Sequence, residues 1–99
     1  MLKIVTMCGS FKFRDLMIKE AIALEFKGNI VLMPIFPISL EENAYTDGEK
    51  KILGDIHKER IKLSDAIYVV NEDNYIGSST REEIELAKSL GKEIIYYKK

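Results

Sequence analysis

Short apolar runs alternate with stretches whose apolar residues recur at helical spacing, and this alternation spans the chain. Residues 2–7, Leu-Lys-Ile-Val-Thr-Met, form a mostly apolar run that stops at Cys8-Gly9-Ser10 and suits a buried strand. Phe13, Leu16, Met17, Ala21 and Leu24 then recur at helical spacing, and Gly28 reads as the glycine that ends the helix. Residues 29–34 are a second strand. Residues 35–47 carry no clear period and hold Phe36, Pro37 and Tyr45; such a long connection suits a lid. A charged, helix-prone stretch over 48–64 follows, with Ile52, Ile56 and Leu63 on one side. Residues 65–71, Asp-Ala-Ile-Tyr-Val-Val-Asn, are a third strand. The loop 72–77 leads into a third helix that Gly91 ends, and residues 93–97 form a fourth strand.

Strand–helix alternation with short apolar strands implies a parallel sheet covered by helices on both faces. Right-handed crossovers with one reversal give strand order 2-1-3-4, a three-layer α/β, flavodoxin/Rossmann-like fold reduced to four strands. In such sheets ligands bind beyond the carboxyl ends of the strands, at the switch point between strands 1 and 3. The loops there, 8–12 and 71–80, should converge.

Composition narrows the function classes. Ninety-nine residues suit one domain. A net charge of −1 leaves no electrostatic footprint for nucleic acid or an anionic membrane. One cysteine excludes an internal disulfide framework and fits a reducing compartment. No run approaches membrane length and the N-terminal residues do not read as a signal peptide, so the expected location is cytoplasmic.

The start of the third helix carries the most chemistry. Gly77-Ser78-Ser79-Thr80 is a glycine- and hydroxyl-rich entry; any of the three hydroxyls serves as N-cap, with Glu82 or Glu83 at the capping-box position. Free N–H groups and the helix dipole make such a start a candidate anion site. Glu83, Ile84, Ala87 and Leu90 share one face, while Arg81, Glu82, Glu85, Lys88 and Ser89 take the solvated one. A carboxylate at the buried side of a first turn either caps the helix, pairs, or performs chemistry.

Two further patterns compete. Cys8, five residues and Arg14 after strand 1 match a phosphatase-loop spacing, in which a thiolate attacks a phosphate held by backbone N–H groups and the arginine. The alternative is a small buried cysteine before a tight Gly-Ser turn. His57, the only histidine, lies in the second helix, where a lone histidine is commonly a packing or surface residue. No second histidine or cysteine offers metal-ligand spacing, and no phosphate-loop or dinucleotide motif is present, so no metal and no cofactor are expected.

Taken together, Cys8-Gly9-Ser10, the stretch from His57 to Val70 with Ser64-Asp65, Gly77 through Ala87, and Gly91-Lys92-Glu93-Ile94 resemble the nucleoside 2-deoxyribosyltransferase-like superfamily. The chain is most similar to its small members around the 2′-deoxynucleoside 5′-phosphate N-hydrolases. The resemblance covers nearly the whole chain except 35–47. It implies that Glu83 is a nucleophilic glutamate. His57 stands where the family often has an aspartate near the sugar, Gly77 where transferases often carry another aspartate, and Thr6 where the nucleotide hydrolases place a tyrosine.

These readings give an expectation for the site. Glu83 attacks the anomeric carbon of a (deoxy)nucleoside 5′-monophosphate and His57 orients the sugar or passes a proton. Cys8, Gly9, Ser10, Phe11 and Lys12 with Gly77, Ser78, Ser79 and Thr80 line the substrate, holding the phosphate and stacking on the base. The small core suggests a homodimer joined through helices. A non-catalytic nucleotide-binding module, a nucleoside deoxyribosyltransferase and a Cys8 phosphatase remain as alternatives.

Overall fold

A computed structural model describes residues 2–36 and 45–98. Its sheet has four parallel strands in the order β2-β1-β3-β4: β1 (Ile4–Gly9), β2 (Ile30–Leu32), β3 (Ala66–Val70) and β4 (Glu93–Tyr96). Three helices connect them: α1 (Arg14–Phe26), α2 (Asp47–Leu63) and α3 (Ser78–Ser89). This is the small three-layer α/β fold that the alternating pattern implies.

The alternation of side chains along β1 divides the core in two. Met7 packs with Met17 and Ala21 of α1 and with Val70. Cys8 points the other way, into Ile61 of α2, Ile67 and Val69 of β3, and Ile84 and Ala87 of α3. One helix therefore covers one face and two cover the other. Gly9 sits where they meet the site: a Cβ there would lie 3.0 Å from the Met17 sulfur and 3.2 Å from the Val70 carbonyl oxygen, so a side chain would need Met17 and the β3 backbone to give way. Gly28 and Gly91 end their helices with positive φ, 96° and 70°, as expected for C-terminal glycines.

Several local expectations are corrected. β1 starts and ends two residues later than the apolar run, because pairing with β3 continues through Cys8↔Val69 and Gly9↔Val70 while Leu2 stays exposed. β2 is shorter than 29–34. The buried side of α2 is not Ile52, Ile56 and Leu63, which are 59%, 46% and 70% exposed. It is His57 and Ile61. α2 begins with a capping box in which Glu49 N–H donates to the Thr46 hydroxyl and the Glu49 carboxylate accepts from Thr46 N–H. α3 has no such box: its N-cap is Gly77, without a side-chain bond. Leu90 is exposed rather than packed with Ile84 and Ala87. The lid expected within 35–47 falls mostly on residues outside those described; at its two ends the Tyr45 hydroxyl donates to the Phe36 carbonyl over 3.3 Å. No helix among the described residues is long and apolar enough to cross a membrane.

Candidate functional site

A cavity of about 380 Å³ opens at the carboxyl ends of β1 and β3, where the strand order reverses. β1 delivers Gly9, Ser10 and Phe11 to it, and the entry to α3 delivers Gly77, Ser78, Ser79, Thr80 and Glu83. The two loops thus converge as the topology requires. Lys50, Leu53, Gly54 and His57 of α2 also line it, as do Pro34, Ile35, Tyr45 and Tyr75.

Glu83 is half-buried in the second turn of α3, not the first turn expected of it, because the helix already begins at Ser78; it stands beside Thr80, Ile84 and Ala87, which face the core. Burial pushes its carboxyl up from 4.5 to about 7; the adjacent Cys8 thiol and the Lys58 charge oppose that rise. The acid therefore changes charge near neutrality. The first backbone bond of the helix runs from Arg81 N–H to the Gly77 carbonyl at 3.0 Å, so the N–H groups of Ser78, Ser79 and Thr80 have no partner within the helix.

Beneath Glu83 lies a polar knot. Cys8 Sγ, a His57 ring nitrogen and a Glu83 carboxylate oxygen all lie within 4.8 Å of one another. His57 is buried and both of its ring nitrogens are engaged. Nε2–H donates to the Met7 carbonyl at 2.8 Å, and Nδ1 accepts from Arg60 Nη1 at 3.1 Å. The reason can be traced to β2. Ile30 N–H donates to the Lys3 carbonyl, and a parallel ladder repeats every two residues. Two steps further the donor to Met7 would be residue 34, a proline without an N–H. His57 supplies that missing donor. Burial and the Arg60 charge hold it neutral, with its titration lowered from 6.5 to about 4. A ring so committed neither ligates a metal nor hands a proton to a substrate, which removes the proton-passing role expected of it.

Cys8 is fully buried in β1. Burial, and then the neighbouring Glu83 carboxylate, push its thiol well above the usual range. A nucleophilic cysteine needs the opposite setting. Arg14, the other half of the phosphatase-loop spacing, opens α1 with its guanidinium 5.6 Å from the Phe36 ring. The buried, protonated thiol therefore argues against the phosphatase reading.

The remaining expected residues divide. Ser10 borders the cavity while its hydroxyl accepts from Lys12 N–H at 3.5 Å, capping a short 3-10 turn, Phe11–Phe13. Phe11 presents a half-open ring, edge-on to Phe36 at 6.0 Å. Lys12 does not line the cavity: its ammonium sits 3.3 Å from the Tyr75 ring centroid, a cation–π contact. Lys50, absent from the sequence expectation, is the one ammonium among the described residues lining the cavity. Its signal was hidden in the run Glu49-Lys50-Lys51, which reads as a solvated face until the helix rotation is known.

The cavity therefore joins a protonatable carboxyl, an unsatisfied helix start, an ammonium and exposed aromatic rings. Comparison with protein-family models gives no match, and comparison with curated proteins gives none either.

Proposed function

We propose that this cavity cleaves the base–sugar bond of a (deoxy)nucleoside 5′-monophosphate, with Glu83 as the nucleophile. The observation that carries the reading is Glu83 itself: a carboxyl on the cavity wall, desolvated and titrating at about 7, with no cation bonded to it among the described residues. In this scheme its carboxylate attacks C1′. The C1′–N bond breaks, its electron pair leaves with the base, and a glycosyl ester forms on Glu83. Water then attacks C1′, frees the carboxylate and delivers the 5-phosphosugar, its released proton passing to the departed base. The phosphate suits the start of α3, where Ser78 and Ser79 offer N–H and hydroxyl donors, with Lys50 as counter-charge. Phe11 and Tyr75 offer faces for the base.

His57 favours a second reading. Because its ring is tied to Met7 and Arg60, it has no proton to give a departing base, which suits a module that binds a nucleotide without turning it over. Incubating the protein with a panel of nucleoside and deoxynucleoside monophosphates and assaying free base separates the two. Base release that disappears in Glu83→Gln supports hydrolysis; tight binding with no release from any member supports the module. A homodimer joined through helices belongs to the same proposal, and the exposed Ile52, Ile56 and Leu63 of α2 offer an apolar face for it. A single monomeric species in sedimentation at micromolar concentration would remove it.

A further inference from the structure

We propose that Cys8 is the positioning residue of Glu83: its buried thiol donates a hydrogen bond to one carboxylate oxygen and leaves the other turned to the cavity. This rests on the nucleophile assigned to Glu83 above, but the contact itself can be tested without turnover.

The placement follows from β1. The strand's alternation sends Cys8 into the layer of α2 and α3, against Ile84 and Ala87 of α3. Around the thiol are Ile61, Ile67, Val69, Ile84 and Ala87, none of which accepts a hydrogen bond through its side chain. The nearest nitrogen, His57 Nε2, lies 4.0 Å away and carries a hydrogen aimed at Met7. Among the side chains, the Glu83 carboxylate, with an oxygen within 4.8 Å of the sulfur, is thus the acceptor left for the S–H.

The chemistry explains why a thiol suits this place. A nucleophilic carboxylate must be held still, yet strong donors blunt it: an arginine or several backbone N–H groups stabilise the anion and lower its basicity. A thiol is a weak donor. Burial beside a carboxylate also keeps it protonated, so it remains a donor throughout the neutral range. Cys8 can therefore orient Glu83 at small cost to its reactivity. Because the bond favours the ionised acid, removing it should push the Glu83 titration higher still.

Cys8 is the only cysteine, so the infrared S–H stretch reports it alone. The band should move to lower frequency as Glu83 ionises between about pH 5 and about pH 9, and this movement should vanish in Glu83→Gln. A band that stays still in the wild type overturns the proposal. In kinetics, Cys8→Ala should shift the acid limb of kcat/KM for base release to higher pH, losing about tenfold near pH 6 and converging with wild type in alkali. Cys8→Ser, a stronger donor, should shift the limb the other way. A loss equal at every pH marks a packing residue and overturns the proposal. The infrared measurement on the wild type keeps the test decisive if Cys8→Ala fails to fold. A moving band with no base release from any nucleotide upholds the Cys8–Glu83 contact and sinks the glycosidase reading instead.

Discussion

The two faces of the sheet share a central strand but have opposite chemistry. Against α1, Met7, Met17, Ala21 and Val70 form a core cluster with no buried polar side chain in it. The polar pair on that side, the Tyr68 hydroxyl donating to Glu20 at 2.7 Å, involves no fully buried residue. Against α2 and α3, the buried residues include Thr6, His57, Ser64 and Thr80, with Cys8 and the half-buried Glu83 among them. Thr6 donates to the Arg60 carbonyl at 3.1 Å and Ser64 to the Ile61 carbonyl at 2.9 Å, so much of this polarity is satisfied internally. Glu83 faces the cavity. One layer is apolar throughout its buried cluster, and the other carries a desolvated carboxyl at a cost in stability, the division expected if the proposed function is built into this small domain.

Glu83→Gln tests that division most severely. On the proposed mechanism, it removes the nucleophile and should reduce base release by roughly three orders of magnitude or more. It should also stabilise the protein in alkali. The Glu83 titration lies above its unfolded value, so its favourable contribution is full below pH 4.5 and lost as pH rises through about 7. The displacement corresponds to roughly 3 kcal/mol, and denaturant unfolding at about pH 8 should show much of it as a gain. An alkaline stability unchanged by the substitution would mean that Glu83 is not desolvated.

Met17→Ala tests the other face. Met17 is fully buried against Met7 and beneath Gly9, so its truncation should cost about 2–5 kcal/mol. The loss should be the same across the neutral range, since Tyr68, the titrating group packed against that cluster, has its hydroxyl pushed further up by burial and by Glu20. A pH-dependent loss would show that the two layers are coupled through β1.

His57 and Glu83 titrate in opposite senses, and this gives a third experiment. For His57 the folded value lies below the unfolded one, so its contribution is present above pH 6.5 and lost as pH falls toward about 4. Between roughly 4.5 and 6.5 the two groups cancel. Glu83→Gln should uncover stability that rises with pH in this window; His57→Gln should uncover the reverse. His57→Gln should additionally cost about 1–3 kcal/mol if the amide fails to reach the Met7 carbonyl. Matching slopes in the two variants would refute the assigned protonation states.

These contrasts also show where one sequence is informative. Strand order and layering were legible because apolar runs and helical spacing are set by local period and short connections. Glu83 was legible because a carboxylate broke an otherwise apolar face. The buried side of α2 was not. Ile52, Ile56 and Leu63 make a better apolar stripe than the set that packs, which contains a histidine. That histidine is buried because Pro34 withholds a ladder hydrogen bond from Met7, a relation among residues far apart in the chain. Once α2 was turned the wrong way, Lys50 was necessarily missed. The cap of α3 failed for a different reason: three hydroxyls in succession fit the N-cap pattern, and Gly77 immediately before them took the position.

The smallest expected effect concerns those two lysines. Lys12 was the sequence's candidate for the phosphate, yet its ammonium is stacked on Tyr75, whereas Lys50 borders the cavity on the α2 side. Opposite charge beside a helix start strengthens anion binding, and an exposed ammonium contributes through a partly screened Coulomb term. Lys50→Ala should therefore weaken a nucleoside monophosphate by roughly tenfold, about 1.4 kcal/mol, while leaving the parent nucleoside nearly unchanged. Lys12→Ala should alter both ligands alike and by less, through Tyr75 rather than through the phosphate. Raising salt should shrink the Lys50 effect, because the contact is reached by solvent. Calorimetric titration of the two ligands into the two variants provides the comparison. Should Lys12→Ala selectively weaken the monophosphate instead, the ammonium must leave Tyr75 when the ligand arrives, and the polar wall of the cavity would extend to the loop after β1.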